Sequence, residues 1–373
     1  MKIGFILNPI AGIGGPAGLK GSDGAEIQSR AMALGSEPGS LHRARQTLSA
    51  LARAETAIRW LSAGPDMGHE LLTELGFSPE RCYQHARPSQ ARDTRDAAAA
   101  MLAAGADLLL FVGGDGTARD LLDGTQGQCP VLGIPAGVKI QSAVYAVSPS
   151  SAARVIQELT GRPRWQQGCQ QREVMDLDES LFRQGKVSPR LYGYLPVPDC
   201  GHRLQGAKAR HPGRDEAAAA AIAHYLQRQM QPDTLYVLGP GSTTYALKQR
   251  LGGGTLLGVD VYRNRQPLAL DVNRRQLLAL ESRHPWEVMV TCIGGQGFIL
   301  GRGNQQIAPE LFAAPRHARL RLLATPAKLA ELAGRPLLSD SGSAELDQHF
   351  NGYHRIVTGP GEETCYPVCA AHY

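Results

Sequence analysis

Aromatic residues are scarce in this chain, 6% of the total, and they do not alternate with a basic stripe. Without that interleaving there is no platform for stacked bases, so nucleic acid is not an expected partner. Charge is sparse too: 20% of residues, 39 basic against 34 acidic, for a formal balance of +5. So small an excess draws anionic nucleotides mildly and creates no strong field. Cysteine is limited to seven residues, at positions 82, 129, 169, 200, 292, 365 and 369. No pair has zinc-ribbon spacing, and Cys365 and Cys369 lack a matching second pair. An odd number of scattered thiols is the pattern of reduced cysteines in a cytoplasmic protein. Long apolar runs are missing as well. The opening MKIGFILNPIAG is too short for a secretory core and reads as a first strand. The longest apolar stretch, Ala97 to Val112, is broken by Gly105 and Asp107 and reads as helix then strand, not as a membrane span. No repeat of solenoid period is visible, and the histidines form no set with metal or triad spacing.

Glycine (43) and proline (24) are plentiful and spread along all 373 residues, which predicts many tight turns rather than disorder. Hydrophobic residues make up an ordinary 43%. The length exceeds one ordinary core and predicts two domains. Over the first part, short apolar strands alternate with helical patterns. Strands are expected at Lys2 to Leu7, Thr56 to Leu61, Asp107 to Val112 and Val131 to Ile134, with helices at Ser89 to Ala104 and Ser148 to Thr160. Continuous apolar strands between helices predict a parallel sheet covered on both faces. Such sheets bind ligands at the carboxyl ends of their strands. Further on, strand-like runs become denser: Glu173 to Leu177, Leu235 to Leu238, Leu256 to Tyr262 and Glu287 to Cys292, interrupted by a helix at Asp215 to Gln229. The expected division is an α/β domain over 1–168 and a β-rich domain over 169–335. A final segment, 336–373, carries the strand Tyr353 to Thr358 and is expected to return to the first domain.

Three glycine loops carry the chemistry. In DLLLFVGGDGTARDLLD, residues 107–123, an apolar strand runs into Gly113, Gly114, Asp115, Gly116 and Thr117, and a helix begins at once. Glycines permit a sharp turn and close ligand approach, and the helix start favours an anion. A carboxylate amid phosphate-binding amides repels phosphate unless it serves the chemistry, by holding Mg²⁺ or by accepting a proton from an attacking hydroxyl. The second loop, NPIAGIGGPAG at 8–18, offers Asn8, Gly12 and Gly14 to a phosphate tail, although no GK[ST] follows it. The third, DTLYVLGPGSTTYAL at 233–247, places Gly241, Ser242, Thr243, Thr244 and Tyr245 at a helix start, where hydroxyls and amides bind phosphate or ribose oxygens or simply cap the helix.

These loops, in this order, resemble the superfamily of NAD kinases, diacylglycerol and sphingosine kinases and phosphofructokinases, and most closely the ATP-NAD kinase-like branch that includes the acetoin-catabolism protein X group. GGDGT at 113–117 is the superfamily signature, and GSTTY at 241–245 favours the NAD kinases over the lipid kinases. GIPAGVKIQSAVYA at 133–146 and IGGQGFILGRGNQQIAPE at 293–310 look specific to the protein X branch. The resemblance implies an NAD-kinase-like two-domain fold with Asp115 as catalytic carboxylate and Gly113, Gly114, Gly116 and Thr117 on phosphates. Asp233, Ser242, Thr244 and Tyr245 fall where NAD kinases contact the dinucleotide. An Asn-Glu pair of that family is matched here by Arg172 and Glu173, so a cation replaces an amide, and GPG at 239–241 stands where the family has TPTG.

Asp176, Asp178 and Glu179 could add metal ligands but read rather as a solvated strand end. The basic stretch 201–214 reads as a solvated loop that offers Lys208 to phosphates if it folds over them. Lys139, just after GIPAGV, is better placed to meet a phosphate. The expected reaction is transfer of the terminal phosphate of Mg²⁺-bound ATP, or of polyphosphate, to the 2′-hydroxyl of an NAD-type dinucleotide. The expected protein has no membrane partner, and the resemblance implies a homo-oligomer. A kinase for a sugar, polyol or lipid hydroxyl, and an NAD(H)-binding sensor without turnover, stand as alternatives.

Overall fold

The computed structural model describes residues 1–19, 25–54, 57–137, 140–177, 189–199, 212–280, 283–293 and 296–371. The first sheet has five strands: β1 (Lys2–Leu7), β2 (Arg59–Gly64), β3 (Glu80–Gln84), β4 (Leu108–Gly113) and β5 (Val131–Pro135). They lie in the order β3-β2-β1-β4-β5, and every neighbouring pair is parallel. All six residues of β4, LLLFVG, are buried, which is why the run is apolar without alternation. Strand β3, ERCYQ, is half-exposed at the sheet edge, and its polar sequence hid it from pattern reading.

Helices α1 (Ala25–Ala33), α2 (Ser40–Arg53), α3 (His69–Glu74), α4 (Ala91–Ala103), α5 (Asp115–Thr125) and α6 (Pro149–Thr160) complete this unit. The pairs α2 with α6 and α4 with α5 cover the sheet. Helix α6 starts on Ser148, whose hydroxyl accepts from Ser151 N, with Pro149 in the first turn.

A hairpin of β6 (Gln170–Leu177) and β7 (Pro189–Val197) packs on α5 and β5. Val174, Leu195 and Val197 belong to the same hydrophobic cluster as β1 and β4. The hairpin, expected in the second domain, thus shares the core of the five-stranded sheet.

The second unit opens with α7 (Pro212–Gln229) and is built on a nine-stranded mixed sheet. Its strands are β8 (Leu235–Leu238), β9 (Asp260–Arg263), β10 (Gln266–Ala269), β11 (Trp286–Thr291), β12 (Phe298–Leu300), β13 (Arg319–Leu323), β14 (Leu337–Ser339), β15 (Gly352–Gly359) and β16 (Glu362–Ala370). The order is β10-β9-β8-β11-β13-β15-β16-β14-β12. Helices α8 (Ser242–Arg250), α9 (Arg274–Leu278), α10 (Pro326–Ala330) and α11 (Ala344–His349) connect them. The final segment corrects a further expectation. Its strands β14, β15 and β16 lie inside this sheet, where Ile356, Val357 and Val368 are buried. It meets the first domain at Arg43 Nη2 to Asp340 Oδ2 (2.7 Å) and at Ser150 Oγ to the Ala371 carbonyl (3.3 Å).

Among the described residues no helix is long and apolar enough to cross a membrane. The six described cysteines are free thiols.

Candidate active site

The strand order reverses between β1 and β4, and the loops that follow these strands meet there. Asn8 joins them. Its backbone N donates to the Val112 carbonyl (3.0 Å), its Nδ2 donates to Thr117 Oγ1 (2.9 Å), and its Oδ1 accepts from Ile10 N (3.2 Å). One end of the amide thus holds one glycine loop against the other, while the other end fixes the turn of its own loop. Gly12 has φ +83°, and a Cβ there would stand 2.3 Å from the Ala136 carbonyl oxygen. No other residue lets the loop after β1 pass so close to the end of β5. Gly14 is buried in the same loop, its carbonyl accepting from Leu19 N at 2.9 Å.

Helix α5 begins directly on Asp115, and its first bond runs from Ala118 N to the Gly114 carbonyl (3.1 Å). The amides of Asp115, Gly116 and Thr117 precede that bond and open from the helix start. Gly114 lies against Gly137, where an added Cβ would come 2.8 Å from Gly114 Cα. Asp115 itself is 5% exposed. Its Oδ2 accepts from Gln141 N (2.7 Å) and its Oδ1 from Ser142 N (3.0 Å). Burial pushes its pKa up, the bonds from residues 141 and 142 pull it down, and the charge of Asp176 adds to the rise, leaving it at about 7. A carboxyl poised there is a competent proton acceptor near neutral pH.

The segment that holds Asp115 is itself anchored on several sides. Ser142 Oγ donates to the Met175 carbonyl (2.8 Å) and accepts from Met175 N (3.0 Å), and Ala143 N donates to the Glu173 carbonyl (3.0 Å). Tyr145 donates its hydroxyl to the Gly114 carbonyl. From the second domain, Gln296 Nε2 reaches the Ile140 carbonyl at 3.0 Å. Arg172 and Glu173, both half-buried on β6, therefore stand beside the Asp115 cradle. Asp176 corrects the reading of a solvated strand end: its side chain is 13% exposed and pairs with Arg119 Nη1 at 3.1 Å. Asp178 and Glu179 lie outside the described residues.

The third loop follows β8, next to the parallel strand β11. The end of β11 leads to Gln296 and hence to Ile140, so residues 239–245 occupy the end of the second sheet that faces Asp115. Within it the roles separate. Thr243 Oγ1 is buried and accepts from Lys328 Nζ (2.9 Å) and Thr291 Oγ1 (3.3 Å). Thr244 Oγ1 donates to the Gly241 carbonyl (3.0 Å). These two hydroxyls, expected on the ligand, are turned inward, while Ser242 is exposed and Tyr245 half-buried. Gly241, at φ +121°, admits the close pass of Thr291. Asp233 is exposed in a turn before β8, its N donating to Asn264 Oδ1 (2.8 Å), at the opposite end of the strand from Gly241. Lys139, Lys208 and the basic stretch through residue 211 lie outside the described residues.

Sequence reasoning missed the amides of Gln141 and Ser142, the hydroxyl of Tyr145 and the inter-domain reach of Gln296. Their signal lay in GIPAGVKIQSAVYA and IGGQGFILGRGNQQIAPE, stretches that stood out but in which only Lys139 was given a role. Residues 3–162 match the model of the ATP-NAD kinase N-terminal domain, and residues 232–368 match that of the ATP-NAD kinase C-terminal domain. No curated protein matches the chain.

Proposed function

The chain belongs to the ATP-NAD kinase family, and from that premise we propose that it moves the terminal phosphate of ATP, or of polyphosphate, to the 2′-hydroxyl of an NAD-type dinucleotide. The observation that carries this reading is Asp115. It sits at the strand-order reversal, between two glycine loops, on two backbone amides, with a pKa of about 7.

The donor's phosphates lie along the start of α5, where the amides of residues 115–117 and the helix dipole favour negative charge. The acceptor hydroxyl sits at Asp115, gives it the proton and attacks the terminal phosphorus, while the bond from that phosphorus to the bridging oxygen breaks. The amides at 141 and 142 hold the carboxylate in place and leave each oxygen a further lone pair for the proton. Because phosphoryl transfer needs little covalent help, positioning and charge stabilisation supply most of the acceleration.

Mg²⁺ belongs to this scheme as the counter-ion of ATP. Among the described residues no group of three or more His, Cys, Asp or Glu is arranged to hold a metal; an ion of this kind arrives on phosphates and keeps several waters. When bound it neutralises phosphate charge. Ser242, Tyr245, Arg172 and Glu173 are the candidates for orienting the dinucleotide.

The test incubates the protein with Mg²⁺-ATP and, separately, NAD⁺, NADH, sugars and polyols, following ADP release and NADP(H) formation together. NADP(H) that forms with the native protein and not with Asp115→Asn is the expected result. ADP release with a sugar or polyol alone replaces the acceptor, and binding of NAD(H) without turnover replaces the activity by sensing.

A further inference from the structure

The stretch GRGNQQ at 301–306 is used by none of the steps above, yet it is packed into the seam between the domains. Arg302 is 5% exposed. Its Nη2 donates to the Val147 carbonyl at 3.1 Å, and its guanidinium lies 4.4 Å from the centre of the Phe298 ring. Its Nε stands 3.6 Å from Asp340 Oδ2, an ion-pair distance too long for a hydrogen bond. The same Asp340 oxygen is held by Arg43 Nη2 at 2.7 Å. Among the described residues, Nε and Nη1 of Arg302 and Nη1 of Arg43 are buried without a hydrogen-bond partner, and two guanidiniums share one carboxylate in a buried seam. Burial and the neighbouring Arg43 charge pull the Arg302 pKa down to about 10 even with Asp340 present.

A buried cation in excess is costly unless an anion completes the group. Buried polar atoms left without partners call for a specific explanation. A guanidinium edge is shaped for phosphate oxygens in a two-bond fork. Place and chemistry agree. Arg302 is bonded to Val147, two residues beyond Tyr145, whose hydroxyl holds the Gly114 carbonyl beside Asp115. The acceptors Gln305 Oε1 and Gln306 Oε1 on the same stretch are likewise buried and unpartnered among the described residues, and they suit the hydroxyls that accompany nucleotide phosphates. Gln305 packs 3.1 Å from the position of a Cβ on Gly15, in the loop after β1.

We infer that Arg302, with Arg43 and Asp340, forms a phosphate-anion subsite in the seam between the domains, flanking the Asp115 loop. The inference rests on the reading of the site as a phosphotransferase centre. The anion is a phosphate group, supplied either by the donor's polyphosphate tail or by the dinucleotide's pyrophosphate.

The test is calorimetric titration of the full chain with tripolyphosphate, ATP and NAD⁺, none of which requires turnover. Arg302→Gln is expected to weaken tripolyphosphate and ATP, or NAD⁺, by about 10- to 100-fold, and which of them weakens identifies the source of the phosphate. Asp340→Asn removes the competing carboxylate and is expected to tighten the same ligand, an effect of opposite sign that damage to the fold does not produce. If Arg302→Gln fails to fold, Asp340→Asn decides alone. Unchanged affinity for all three ligands in a folded Arg302→Gln, or weaker binding in Asp340→Asn, overturns the inference. Lost phosphate binding in Arg302→Gln with no NADP(H) formed by the native protein keeps the subsite and removes the proposed acceptor.

Discussion

At the residue scale the account depends on one carboxylate. Asp115 is buried, faces the charge of Asp176 and accepts two backbone amides, so opposing effects set its proton affinity. Asp115→Asn is expected to lower kcat by about 10²- to 10⁴-fold, the usual worth of a general base, with KM changed much less. Steady-state kinetics check this. The same carboxyl has a consequence for stability. Its folded pKa, about 7, lies above its ordinary value of 3.8. Between these values the folded protein keeps a proton that the unfolded chain has released, so the folded state loses stability as pH rises through that window. The melting temperature of Asp115→Asn relative to the native protein is therefore expected to climb between about pH 4 and pH 7. A constant difference in calorimetric scans across that range contradicts the burial argument.

At the scale of elements, the site is made by close backbone approach. The loops after β4 and β5 touch at Gly114 and Gly137, and a methyl on Gly137 would stand 2.8 Å from Gly114 Cα. Gly137→Ala is expected to push the Asp115 cradle away from its helix start and cut kcat by about 100-fold, because displacements near 1 Å cost that much. Circular dichroism should show the secondary structure intact. In the second domain, Lys248 on α8 is fully buried and bonded to Asp260 on β9 (2.8 Å) and to the carbonyls of Thr255 and Gly258 (2.9 Å each). Lys248→Met leaves that carboxylate buried without its cation and is expected to cost about 3–5 kcal/mol in urea unfolding.

These elements also show what a sequence can reveal. Strands β1, β4 and β8 were legible because they are buried on both faces and read as unbroken apolar runs. The edge strand β3 was not, since three of its five residues are exposed and none is buried. Leu256 to Val259 looked like strand but forms a loop pinned by Lys248, a contact made by a residue from another element. Asp115 was legible because its neighbours in sequence make its surroundings. The amides that hold it come from residues 26 and 27 positions away, and backbone donors leave no mark in composition. Thr243 was read as a ligand hydroxyl, and only the fold reveals that Lys328, 85 residues on, claims it.

At the scale of the whole molecule, two domains meet around the Asp115 cradle. Gln296 Nε2 donates to the Ile140 carbonyl at 3.0 Å, and Arg302 Nη2 to the Val147 carbonyl at 3.1 Å. The β6–β7 hairpin holds the cradle from the other side through Glu173 and Met175. Catalytic geometry is thus a property of the assembled pair of domains. Gln296→Leu, far along the chain from Asp115, is expected to lower kcat by about 10-fold or more through loss of that brace. Single-turnover rates measured beside an unchanged unfolding midpoint would separate this from general instability.

The central claim is that Asp115 accepts the proton of the acceptor hydroxyl, and the most direct test is the pH dependence of kcat/KM for NADP⁺ formation from Mg²⁺-ATP and NAD⁺. Since the base form of Asp115 exists above its pKa of about 7, the rate should rise about tenfold per pH unit up to that point and then level. The residual activity of Asp115→Asn should lack this rise. A native profile that stays flat between about pH 5.5 and pH 8 would contradict the role assigned to Asp115.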